Sequence, residues 1–81
     1  MTLTTTWQEI AAIEKGALIQ ASAISVDVRV TYSPAAPAVD AVTVTLGASK
    51  LDDPVFLPAS AENAIYAKIG SGTAELKIVE V

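Results

Sequence analysis

Ser49 and Lys50 are the nearest this chain comes to a nucleophile beside a base. There is no Cys and no His, so neither a thiol nor an imidazole-activated hydroxyl can be built. Adjacent residues of a strand face opposite ways, which would separate Ser49 from Lys50. The chain is therefore read as a non-enzyme. Asp52 and Asp53, with Glu62 further along, offer the ligand type of a Ca²⁺ loop. The glycine-punctuated acidic ladder of an EF-hand is missing, and an acidic pair before Pro54 has the composition of a solvated turn, which is the favoured reading. No metal ligand set and no cofactor is assigned.

Two further groups carry polar chemistry. Asp27 and Arg29 fall on one face of a predicted strand, where each can pair with a cross-strand neighbour or meet another subunit. The first reading is favoured. Trp7, Tyr32, Phe56 and Tyr66 are the only aromatic residues. They can anchor an interface or stack on a sugar, and Tyr32 and Tyr66 also suit the wall of a small core with a wet hydroxyl. Trp7 is expected to cover either the open end of the domain or a neighbouring subunit.

The elements that must position these residues read as β. From Ile24 to Tyr32 every second residue is large and apolar and those between are polar, the period of a strand with one buried face. Ala17–Ala23 alternates more weakly and leads into it, with a bend or bulge expected near Ala23. The segment Ser33-Pro34-Ala35-Ala36-Pro37 reads as a loop. Val39–Leu46 alternates again, with Val42, Val44 and Leu46 set against Thr43 and Thr45, and Gly47 ends it. Between Ala48 and Asn63, Pro54 and Pro58 bracket one short edge strand, Val55–Leu57. Gly70-Ser71-Gly72 is a turn, and it predicts an antiparallel hairpin of Ile65–Ile69 with Thr73–Val81. The start is ambiguous: Thr6-x-x-Glu9 matches a capping box and Gly16 a helix stop, while the Thr-rich lead favours a strand. The fold class is thus all-β, a small antiparallel sandwich or barrel, with a short N-terminal helix or strand. Residues 1–81 form one domain, with 1–16 docking on that domain or on a neighbouring subunit.

Composition adds a surface argument. A chain of 81 residues buries only roughly 60% of its unfolded surface. Without disulfides or metal, oligomerisation is the remaining common source of stability. Apolar residues make up 52% and charged residues only 17%, so part of the surface is expected to be hidden by neighbours. The net charge is −4 and the five basic residues form no patch, which argues against nucleic acid. No apolar run approaches the roughly 18 residues of a membrane span, and the start lacks the pattern of a signal peptide. The expectation is a protein assembled in a cytosol.

The end of the chain, Ile65-Tyr66-Ala67-Lys68, a Gly/Ser turn, then Thr73-Ala74-Glu75-Leu76-Lys77-Ile78-Val79-Glu80, resembles the ending of short virion proteins of tailed bacteriophages. Their starts are similar too: a Thr-rich lead, Trp7 and Ile10, then a strand carrying Ile19-Gln20. The likeness covers about half the chain. The Ala48–Asn63 segment departs from it, standing where a short Gly-rich turn would be expected. The resemblance implies a β-sandwich building block of a particle, in trimers or rings, bound to major capsid or tail proteins and without catalysis. Its place would be the virion, assembled in the host cytoplasm. Subunit contacts are assigned to Trp7, Ile10, Phe56 and Tyr66, with Val55–Leu57 or the N-terminal segment as an edge for strand addition. Other readings are a host-surface or glycan-binding module of a tail fibre, and a non-viral adaptor acting by strand addition.

Overall fold

The computed structural model describes residues 1–21 and 26–81. Among the described residues nine strands run β1 (Thr2–Leu3), β2 (Gln8–Ala11), β3 (Ala17–Gln20), β4 (Val28–Ser33), β5 (Val44–Leu46), β6 (Val55–Leu57), β7 (Ala64–Ile69), β8 (Ala74–Glu75) and β9 (Lys77–Glu80). A single 3₁₀ turn, Ala48–Asp52, is the one helical element among the described residues. All pairings are antiparallel. They form a four-stranded sheet β2-β7-β4-β5, a three-stranded sheet β6-β3-β9 and a small ladder β1-β8. The all-β reading therefore holds.

One core joins the sheets. Val28, Val30, Ile65, Ala67 and Ile69 face inward from the four-stranded sheet, Ala17 and Ile19 from the three-stranded one. Leu3, Leu51 and Leu76 complete it from the β1-β8 ladder, the 3₁₀ turn and the β8–β9 corner. The alternation that predicted β4 is visible in its burial, with Val28 and Val30 inside and Arg29 outside. Ile24 and the bend expected near Ala23 lie outside the described residues. The edge strand expected between the two prolines is present as β6, which stands at one edge of its sheet.

Two expectations are corrected below, and one open alternative is resolved first. Of the helix or strand left open for the N-terminal segment, the structure has the strand. Gln8–Ala11 finds backbone partners along β7, with a bulge between Glu9 and Ala11, and Thr6 N–H donates to Thr4 Oγ1 instead of opening a helix. Ladder bonds with a buried neighbour outweigh the few local bonds of an isolated turn. The segment docks on its own domain: β1 pairs with β8, and the Met1 ammonium donates to the Leu76 carbonyl.

The predicted hairpin does not form. Both edges of β7 are already occupied, by β2 and β4. After the Gly70–Gly72 turn, where Gly72 takes φ +72°, the chain leaves that sheet. Its two last strands pair with β1 and β3 instead. The turn was legible; its outcome is an arch between sheets.

The Val39–Leu46 strand is cut to its last three residues. Only Val44–Leu46 pairs with β4, and Val39, Val42 and Val44 point to solvent at 82%, 91% and 66% exposure. The reason lies in what holds the preceding segment.

Candidate subunit-contact surface

Residues 34–43 form a strap laid over the outer face of the four-stranded sheet. Three side chains that project from that face capture three of its carbonyls. Trp7 Nε1 donates to Ala38 O at 3.0 Å, Lys68 Nζ to Val39 O at 2.9 Å and Thr31 Oγ1 to Val42 O at 2.9 Å. The Lys68 ammonium also sits 4.5 Å from the centre of the Trp7 ring. A buried cation is costly unless compensated. Here one carbonyl and one aromatic face compensate it, and the strap buries it. With three of its carbonyls bonded to the sheet, the strap leaves Val39 and Val42 exposed.

Val42 and Val44 continue into an apolar groove of about 370 Å³ at the open side between the two sheets. Tyr32, Leu46, Leu57 and Pro58 line the rest of it. Tyr32 hydroxyl donates to Pro58 O at 2.6 Å, tying the sheets together across the groove. Partial burial raises this hydroxyl above the usual tyrosine range. Tyr32 is thus a wall residue, one of the readings its type allowed, with its hydroxyl bonded to the chain itself.

A second apolar feature covers the outer face of the three-stranded sheet. Register places Phe56 beside Leu18 and Leu18 beside Val79, so one exposed apolar side chain from each strand forms a continuous row. Phe56 and Val79 are each 58% exposed. Pro54, Gln20 and Lys77 make the adjoining row. Antiparallel sheets that face water on one side present polar residues there. This sheet presents apolar residues on both faces.

The four residues assigned to contacts fare differently. Phe56 is in the exposed row. Trp7 is half-buried and engaged with its own strap. Tyr66 is half-buried on β7, opposite Glu9 and Thr31. Ile10 is corrected: it is buried in the core of its own domain and presents no surface to a neighbour. Its helical spacing with Trp7 suggested a shared face, but in a strand Trp7 and Ile10 point to opposite sides. The exposed valines of the strap were missed, because their segment read as part of a strand. The signal available was Pro34 and Pro37, which make the entry to any strand at Val39 irregular.

The groups with reactive potential stand apart. Ser49 and Lys50 are exposed on the 3₁₀ turn. Asp52 and Asp53 are exposed beside it, and Glu62 lies in a turn around Ser60. Among the described residues no three His, Cys, Asp or Glu side chains gather in a metal-holding group. Asp27 accepts a hydrogen bond from Ala48 N–H at 3.0 Å, an intrachain tie that fastens the 3₁₀ turn to β4. Arg29 lies against Gly70, with its guanidinium filling the space a β-carbon would occupy. Comparison of the chain with protein-family models, curated proteins and solved structures gives no match.

Proposed function

We propose that this chain is a structural virion protein of a tailed phage that binds and stabilises neighbouring capsid or tail subunits. The observation that carries this reading is the strap. Val39 and Val42 are held outward by three hydrogen bonds from the sheet beneath, at a place where a lone domain gains nothing from them. Apolar side chains fixed in an exposed position, with little conformational freedom left to lose, suit contact with another subunit. The resemblance of the chain ends to short phage virion proteins supplies the setting. A module that binds only the assembled lattice stabilises it by mass action, and many identical weak contacts add through multivalency.

A glycan-binding reading would want its aromatics on one platform. Phe56 stands on the outer face of one sheet while Trp7 is engaged on the other, so the subunit-binding reading is preferred. Quantitative mass spectrometry of purified phage particles tests it. The expected result is this chain at a fixed ratio to a major capsid or tail protein. Its absence from intact particles overturns the proposal.

A further inference from the structure

We infer that the strap has a second seat: its last residues can zip onto the free stretch of β4 and drop Val42 into the apolar groove, taking it off the contact surface. Along one side β4 is paired with β7 over its whole length, from Val28 to Ser33. Along the other, β5 pairs only with Val28, Arg29 and Val30. The backbone groups that stand on the vacant stretch follow from β7. Ile69 N–H donates to Thr4 O, away from β4, so Val28 opposite it turns its own N–H and C=O from β7 toward β5. Every second residue does the same, which brings in Val30 and Tyr32. Val28 and Val30 meet Leu46 and Val44 there. Tyr32 N–H and C=O meet no backbone partner among the described residues. A strand side left open in this way is a template for pairing.

The strap supplies the partner. Continuing the register of β5 sets Thr43 opposite Thr31 and Val42 opposite Tyr32. Side chains alternate along a strand, so Val42 joins Val44 and Leu46 on the inner side. Tyr32, Leu57 and Pro58 already wall the groove there, and Val42 stands at its rim. One bond holds the segment off this path: Thr31 Oγ1, on the outer face, donates to Val42 O. Turning that carbonyl to the adjacent Tyr32 N–H opens one hydrogen bond and closes two, the second from Val42 N–H to Tyr32 O. It also covers Val42, which is 91% exposed in the present seat. The ties at Ala38 and Val39 stay in place and tether the segment, and with the Thr31 bond they keep the two seats near balance. Thr31 is thus a latch. Latched, Val42 is presented; unlatched, it fills the groove. A neighbour that takes Val42 binds the latched form alone and draws the population to it.

In its use the latch rests on the subunit-binding reading; the second seat belongs to the lone chain. Amide hydrogen exchange of the purified chain, followed residue by residue by NMR, tests it with Thr31→Val as the variant. Losing one hydrogen bond moves a two-state balance about fivefold. The Tyr32 and Val42 amides are therefore expected to exchange at least about threefold more slowly in Thr31→Val than in the wild type, and by the same factor, since one event covers both. Thr45 serves as the reference. Its N–H points to the open side of β5, and its exchange is expected to stay unchanged. Thr31→Ala is the second variant should the first not fold. Equal or faster exchange at either amide, or slowing of one without the other, overturns the inference. A hydroxyl that merely ties the strap down gives that contrary result, because its loss frees the segment. The two proposals fail separately: exchange on the lone chain decides the second seat, and the content of purified particles decides the virion role.

Discussion

Gly16 shows how little of a residue's job need be local. Its N–H donates to Val81 O at 2.8 Å and its carbonyl accepts from Val81 N–H at 2.9 Å. A β-carbon there would lie 2.7 Å from the Leu57 carbonyl oxygen and 3.2 Å from Ala59 N, both backbone atoms that cannot step aside. Gly16→Ala is expected to cost about 1–3 kcal/mol, read as a lower urea midpoint at unchanged slope. In the sequence Gly16 reads only as the end of an element, because the chain that crowds it is some forty residues away. Glu75 carries a pH effect. The Thr2 hydroxyl donates to its carboxylate, and the Met1 ammonium adds charge at 3.5 Å; together these hold its pKa below the usual carboxylate value. A pKa depressed on folding stabilises above the unfolded value, and the contribution is lost as pH falls through the depressed one. Glu75→Gln should therefore show a shallower loss of stability across that acidic window. Denaturation profiles that run parallel to the wild type there would contradict this.

At the scale of elements, the strap 34–43 is the part that local pattern misjudged. Val42-Thr43-Val44-Thr45-Leu46 alternates like a strand, and its last three residues are one. The rest is taken by side-chain donors from the sheet below, a competition that no window of sequence displays. Lys68→Met combined with Thr31→Val removes two of the three ties while keeping the packing. The Ala41 amide, bonded to Ala38 O at 3.1 Å, should then exchange its hydrogen at least about tenfold faster, with the amides of β7 unchanged. Equal exchange at Ala41 would mean that the ties do not hold the strap. The regular alternation of Val28-Arg29-Val30 and the prolines around β6 were legible because one strand and its two faces, or one edge, decide them. The partner of β9 was not, since it depends on β7 being already flanked on both sides.

At the scale of the whole molecule, 52% apolar residues and 17% charged ones announced a surface that one copy does not hide, without saying where. The fold divides it between the strap with its groove and the outer row of the three-stranded sheet. The first is the surface proposed above to meet a neighbouring subunit. The candidate contacts drawn from residue type alone include Phe56, which is exposed, and Ile10, which lies in the core, since aromaticity and apolarity do not distinguish inside from outside in so thin a domain. The central claim is that the outward valines bind a neighbour. Its most direct test is the amount of Val39→Lys/Val42→Lys chain retained on purified particles, measured beside its thermal midpoint. Both residues are largely exposed, so the midpoint should stay within the range of about 0.5 kcal/mol typical of surface changes. Retention should fall at least about tenfold. Full retention of the folded variant would contradict the account.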